Sequence, residues 1–430
     1  MDPSSAAPSL DAPPRPAAER PREVFRIEAR DGGSLARAGV IATAHGEVRT
    51  PGFVPLATKA TVRGLLPSEV RELGFDIVLG NTFHLMLSPG HELIRGHGGL
   101  HRFMGWDGPI ITDSGGFQVF SMGHGAVADE IKGRTGSGGK GGTATAGGGI
   151  RSHGRIDEIG EQGVAFRSHL DGSKQFLSPE RSMEVQAALG TDLAVVFDEC
   201  TPFHVDRDYT ARSTERTHRW LERCLTWHEQ HAPGWQLVYG IVQGGVHEDL
   251  RIEAAETVAS SRADAIAIGG SLGSHKDQMY EVVGWTTARL GGVHERKPRH
   301  LLGIGEIDDL VRGVEQGIDT FDCAMPTRLG RHGMALVPDP DRRWRVDLTQ
   351  ARWKDSDEPL CEGCPCPACA QGFSRGYLRY LAHQRELLGM RLLTQHNLAF
   401  VARVLARLRQ AIVDGRLAEE AAAIRGGRLP

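Results

Sequence analysis

Long apolar runs are missing from this 430-residue chain. No uninterrupted stretch approaches the ~20 residues of a membrane span, and the opening MDPSSAAPSLDAPPRPAAERPRE lacks the apolar centre of a secretory signal. The expectation is a cytoplasmic protein without membrane attachment. Excess charge of one sign is missing too, since 54 acidic and 50 basic residues leave a formal net charge of −4. That excludes a global electrostatic footprint for nucleic acid, so any such contact must come from a local basic patch, for which Arg328 to Lys354 is the candidate. Cysteine is scarce. There are seven, an odd number for a secreted disulfide framework, and Cys361, Cys364, Cys366 and Cys369 crowd into one short stretch, which metal binding explains better.

With 40% hydrophobic and 24% charged residues, the chain can bury a large core. The Pro/Ala-rich segment 1–24 reads as a disordered tail, and alternating runs over 25–50 read as a small antiparallel cap. Eight short apolar runs then alternate with helix-like stretches, beginning at Phe53, Ile77, Ile110, Leu193, Leu237, Ala265, His300 and Ile318. Continuous apolar strands alternating with helices indicate a parallel sheet covered on both faces. Eight such units over 51–345 fit an α/β fold of the (β/α)8 TIM-barrel type. No dinucleotide-type glycine fingerprint follows the first run, which disfavours an open doubly wound sheet. The interval after the third strand carries a Gly-rich insertion, 123–157, expected to be a mobile surface loop. Lys132, Arg134, Lys140 and Arg151 within it are possible RNA contacts, with a plain loop as the alternative. Residues 346–430 form a metal-binding subdomain with C-terminal helices.

Barrel active sites lie at the C-terminal ends of the strands. The residues there are Asp113, Asp198, Gln243, Gly269, Gly270 and Asp322. Three carboxylates beside amide and glycine backbone groups suit a site that holds a flat polar ring and does acid/base or nucleophilic work on it. Rival readings are metal binding by the three aspartates and, for each one alone, a helix N-cap.

The strings DSGGFQVFS (Asp113 to Ser121), FRSHLDGSKQFLSPE (Phe166 to Glu180), FDEC (Phe197 to Cys200), GIVQGG (Gly240 to Gly245), FDCAMPTRLGRHG (Phe321 to Gly333) and the cysteine cluster followed by HNL (His396 to Leu398) resemble the tRNA-guanine transglycosylases, over about residues 25–415. The DEC form resembles the bacterial branch. The resemblance implies exchange of the wobble guanine of GUN-anticodon tRNAs for a 7-deazaguanine base in queuosine biosynthesis, by double displacement with ping-pong kinetics. Carried over by position, Asp322 is the nucleophile on the anomeric carbon and Asp113 the general acid/base, an arrangement like that of a retaining glycosidase. Ser114, Asp198, Gln243 and the Gly269–Gly270 backbone would hold the polar edge of the base, with Phe117 and Leu302 on its faces. Arg328 and Arg331 match anticodon-contacting arginines. Cys200 and Cys323 read as small packing residues.

Cys364, Cys366, Cys369 and His396 match the family's structural Zn2+ site. A four-cysteine set using Cys361 is the alternative. The family also implies a homodimer. After Gly269–Gly270, bacterial members typically carry Leu-(Ala/Ser)-Val-Gly-Glu, where this chain reads Ser271-Leu272-Gly273-Ser274-His275. Gly273 would open the wall facing the 7-substituent and His275 would replace an anion, weakening discrimination for 7-aminomethyl-7-deazaguanine and admitting the bulkier queuine. Alternatively Leu272 supplies the usual wall and the aminomethyl base remains the substrate. A non-catalytic RNA-binding subunit of the same fold and a metal-dependent barrel hydrolase are the rival functions.

Overall fold

The computed structural model describes residues 19–123, 155–201 and 205–428. Most of the expected disordered tail and Gly-rich insertion, with Lys132, Arg134, Lys140 and Arg151, lies outside the described residues. Strands β1 (Phe25–Arg30), β2 (Arg37–Thr43) and β3 (Gly46–Thr50) form the antiparallel cap. Eight parallel strands follow: β4 (Gly52–Val54), β5 (Val78–Gly80), β6 (Ile110–Thr112), β10 (Leu193–Val195), β11 (Leu237–Val242), β12 (Ala265–Ile268), β13 (Arg299–Leu301) and β14 (Thr320–Asp322), with β7 to β9 lying between β6 and β10. Their order around the sheet follows chain order, and a parallel bridge between Leu56 and Leu79 joins its two ends. This is the (β/α)8 barrel expected from the eight runs. Every residue of β11 is buried, as strands covered on both faces require.

Helices return the chain from each strand top to the next strand bottom. The longest crossover, Arg207–His231, starts where Asp206 accepts the Tyr209 N–H at 2.7 Å. After β14, the short helix Met325–Arg331 packs on the long helix Leu387–Val413, which also lies against β4 and the cap. The C-terminal helix thus occupies the flank of the barrel where the eighth helix belongs.

One element was not read from the sequence. β7 (Arg155–Gly160), β8 (Gly163–Arg167) and β9 (Lys174–Leu177) form an antiparallel sheet between β6 and β10, so 155–157, placed in the insertion, open a strand. A hairpin of β15 (Met334–Leu336) and β16 (Arg345–Asp347) shares its apolar core with Cys361, Cys364 and Cys366. No helix among the described residues is long and apolar enough to cross a membrane.

Two buried carboxylates fasten the bottom of the barrel. Asp319 takes a bidentate pair from Arg37 of the cap, at 2.9 and 2.6 Å. Asp192 accepts His45 Nδ1–H at 2.8 Å and His101 Nε2–H at 3.0 Å. Burial alone would raise its pKa, but these bonds outweigh it and hold the carboxyl well below the ordinary range. The opposite face keeps its carboxylates for another use.

Candidate active site

A cavity of about 270 Å³ opens at the C-terminal ends of the strands. Its wall includes Asp113, Ser114, Phe117, Asp198, Gly269, Gly270, Leu302 and Asp322. Gln243 stands immediately behind, in contact with Asp198. The residues inspected as strand ends are therefore brought together.

The segment after β6 turns sharply because Gly115 has φ +82°, a left-handed conformation. A side chain on Gly116 would come within 2.9 Å of the Asp198 carbonyl oxygen, so the two glycines allow this segment to close on β10. Asp113 is not an N-cap of its own helix. Its carboxylate accepts the Thr82 N–H at 2.9 Å and the Gln118 Nε2–H at 3.0 Å, and also a hydrogen from Asn81. Asn81 is itself fixed, because its Oδ1 caps the helix Thr82–Leu87 by accepting the His84 N–H at 2.9 Å. Burial among these groups pushes the Asp113 pKa up to about 7 against the pull of the hydrogen bonds, and the nearby Asp322 charge adds to the rise.

Asp198 accepts Ser114 Oγ–H at 3.0 Å and Gln243 Nε2–H at 2.6 Å, and burial raises its pKa to about 6 despite both bonds. Gln243 Oε1 is buried without a protein donor. Gly270, at φ +78°, makes room for it, since a Cβ there would fall 2.0 Å from that oxygen. Below this group Arg251, wholly buried, donates to the carbonyls of Val242 at 3.1 Å, Gly245 at 2.7 Å and Ser271 at 2.9 Å. It ties the ends of β11 and β12 together. Burial without a carboxylate partner pushes its pKa down to about 9. The neighbouring Glu199 accepts Tyr209 Oη–H at 2.7 Å and Arg216 Nη1–H at 2.5 Å, anchoring the DEC segment to the long crossover helix.

Asp322 ends β14. Its Oδ1 accepts the Gly303 N–H at 2.9 Å and lies 3.2 Å from His300 Nε2. Neither His300 nor Arg251, Asn81 or Gln118 was identified from the sequence. The ligand atoms of the three aspartates do not all lie within 4.8 Å of one another, unlike those of the Cys364, Cys366, Cys369 and His396 group.

In the loop after β12, Leu272 lines the cavity. Gly273, at φ +113°, has the Gln278 side chain packed against it, and exposed His275 caps the next helix by accepting the Gln278 N–H at 3.3 Å. The opening anticipated at Gly273 is therefore filled, and His275 is committed to the helix end.

Arg328 and Arg331 lie on the helix after β14, and Arg63 from the loop after β4 joins them. Burial, then the charges of Arg63 and Arg328, lower the Arg331 pKa. Among the described residues none of the three has an ion pair. Other basic residues of the Arg328 to Lys354 segment are engaged: Arg342 pairs with Asp339 and Arg345 with Glu306.

Away from the mouth, the Sγ atoms of Cys364, Cys366 and Cys369 lie 3.8, 3.3 and 3.5 Å from His396 Nδ1. Tetrahedral zinc with ordinary Zn–S and Zn–N lengths puts sulfur and nitrogen ~3.6 Å apart, so the spacing fits a metal. His396 Nε2–H donates to the Leu336 carbonyl at 2.7 Å, fixing the tautomer that leaves Nδ1 free to bind. Cys361 is outside this group; its thiol turns to the Glu362 carbonyl.

The profile of the family described as queuine tRNA-ribosyltransferase matches residues 31–137 and 130–426. The chain is 48% identical over 403 residues to a queuine tRNA-ribosyltransferase of Roseiflexus sp., covering 92% of this chain and 97% of the relative. It is 45% identical over 394 residues to one from Pelotomaculum thermopropionicum, covering 91% and 95%. A third, from Desulforamulus reducens, is 41% identical over 396 residues, covering 92% and 96%. With the barrel-mouth cavity, its carboxylates and the Cys₃His cluster, these matches make the chain a member of the queuine tRNA-ribosyltransferase family, pentosyltransferases that act on tRNA.

Proposed function

We propose that this enzyme exchanges the wobble guanine of GUN-anticodon tRNAs for a 7-deazaguanine through a covalent tRNA–Asp322 intermediate. The observation that carries the reading is the unequal setting of two carboxyls in one cavity: Asp113 has a pKa near 7, whereas Asp322 takes N–H donors on one oxygen. A group titrating near neutrality can both give and take a proton. In the first half-reaction the Asp322 carboxylate bonds to the anomeric carbon, the C–N bond breaks with its electron pair going to guanine, and Asp113 protonates the departing base. In the second, Asp113 takes the ring N–H proton of the incoming base, whose nitrogen displaces the Asp322 ester.

The base would lie between Phe117 and Leu302. Guanine-like rings present adjacent N–H donors and a carbonyl along one edge. Ionised Asp198 supplies the acceptor for the donors, while Ser114, Gln243 and the Gly269–Gly270 backbone complete the frame. The unsatisfied Gln243 Oε1 supports this, because a buried acceptor left alone costs ~1–3 kcal/mol and a ligand N–H would recover it. Leu272 in the wall favours the aminomethyl base over queuine.

Arg63, Arg328 and Arg331 would take the anticodon-loop phosphates and stack on unstacked bases. Cys364, Cys366, Cys369 and His396 would hold Zn2+, which when bound supplies folding energy that fixes the C-terminal helices to the barrel. A cytoplasmic homodimer belongs to the same proposal; exposed Tyr380 and Leu387, next to the zinc subdomain, offer apolar surface for a partner copy.

Trapping on a denaturing gel tests the central step. Asp322→Asn is expected to give no tRNA adduct while still binding tRNA. An adduct formed by that variant would overturn the assignment.

A further inference from the structure

Behind Asp322 runs a buried chain of polar groups that the two-carboxylate chemistry leaves unused. His300, on β13, is wholly buried. Its Nε2 lies 3.2 Å from Asp322 Oδ1 and its Nδ1 2.9 Å from Thr320 Oγ1. Thr320 lies directly opposite His300 in the β13–β14 pairing, and the ring of Tyr239 on β11 meets His300 edge-on at 6.1 Å. Thr320, His300 and Asp322 therefore form one connected chain across β13 and β14, ending on the carboxylate.

The acceptor at its end sets its direction. An ionised carboxylate only accepts, so His300 Nε2 must carry the proton toward Asp322. In the neutral imidazole Nδ1 then accepts, and Thr320 donates to it. Every hydrogen points toward Asp322. Because the Gly303 N–H takes the same oxygen at 2.9 Å, Oδ1 is held twice and Oδ2 is left for the cavity.

We propose that His300 is a positioning residue that orients Asp322. The inference rests on Asp322 being the nucleophile. Two N–H donors on Oδ1 restrict rotation of the carboxyl, so that Oδ2 meets the anomeric carbon in one orientation.

Single-turnover adduct formation across pH 5–9 tests this with His300→Phe, His300→Gln and His300→Asn, alongside Asp322→Asn. Gln can place an amide N–H near the Nε2 position, whereas Asn stops near Nδ1 and Phe donates nothing. His300→Phe and His300→Asn should lower the rate ~10–100-fold, as misorientation of the nucleophile implies. The tRNA KM should change by less than ~3-fold, since this is not a ground-state contact. His300→Gln should recover most of the rate. If His300→Phe does not fold, the contrast of Gln with Asn gives the same answer. A wild-type rate in His300→Phe or His300→Asn, or equal losses in His300→Gln and His300→Asn, would overturn the proposal. Adduct formation by Asp322→Asn would instead overturn the nucleophile assignment beneath it.

Discussion

Replacing Asp113 by asparagine should separate what this carboxyl does for the reaction from what it costs the fold. A pKa near 7 in the folded protein, against ~3.9 in an unfolded chain, means that the native state binds the proton more tightly. The ionised group therefore destabilises the fold, increasingly as pH rises from ~4 to ~7 and then by a constant amount. By linkage the deficit is ~1.5 kcal/mol at pH 5 and ~4 kcal/mol at pH 8, a difference of ~2.5 kcal/mol. Water in the cavity screens part of it, so ~1–2.5 kcal/mol is expected. Asparagine does not titrate. It does introduce an NH2 group facing Asn81 and Gln118, and Asn81 cannot turn its amide without losing the cap on His84 N–H. That clash costs ~1–3 kcal/mol but does not vary with pH, so it cancels when two pH values are compared. Urea unfolding of both proteins at pH 5 and pH 8 should show Asp113→Asn gaining, relative to wild type, by the range given above at the higher pH. Turnover should collapse while tRNA binding persists. Equal relative stability at both pH values would refute the raised pKa and, with it, the physical basis for Asp113 as the proton carrier.

Cys366→Ser and His396→Ala should each lose metal by elemental analysis and several kcal/mol of stability, whereas Cys361→Ser should keep one zinc per chain. Two zinc ions per chain in the wild type would favour a metal hydrolase instead. Arg63→Ala, Arg328→Ala and Arg331→Ala should each weaken tRNA binding and lower the slope of log affinity against log salt by ~0.7–1, measured by titration at several salt concentrations; an unchanged slope for Arg63 would remove it from the patch. In competition for guanine-bearing tRNA, 7-aminomethyl-7-deazaguanine should be strongly preferred over queuine, and Leu272→Ala should narrow the preference. Comparable use of both bases by the wild type would mean that the loop after β12 admits the larger substituent.

The barrel was legible because its signal is repetitive. Eight apolar runs, each too short and too continuous for an amphipathic helix, can satisfy both faces only inside a layer of helices. The sheet of β7 to β9 escaped notice for the converse reason: β9 reads Lys-Gln-Phe-Leu and is half exposed, so it lacks the apolar continuity by which the barrel strands were found. The helical pattern from Leu398 to Ile424 was visible, but not that it divides between the helices Leu387–Val413 and Leu417–Arg425, nor that the first covers β4 and the cap. That role is fixed by packing between segments more than 300 residues apart.

The site shows the same division. Asp113, Asp198 and Asp322 could be singled out because a barrel's geometry makes strand ends special whatever the neighbouring sequence. His300 could not. It sits inside an apolar run and reads as a core residue, and whether it meets a carboxylate depends on the stagger of β13 against β14. In the pairing observed, His300 lies opposite Thr320, two residues before Asp322, so the imidazole spans the hydroxyl behind it and the carboxylate ahead. A shift by one residue would turn Thr320 and Asp322 to the other face and leave the imidazole buried without either partner. Arg63 and Asn81 illustrate the same limit, each lying in a different loop from the group it assists. Strand-end chemistry follows from the fold class alone, whereas the groups that orient it follow from register and loop closure, which pattern in a single sequence does not encode.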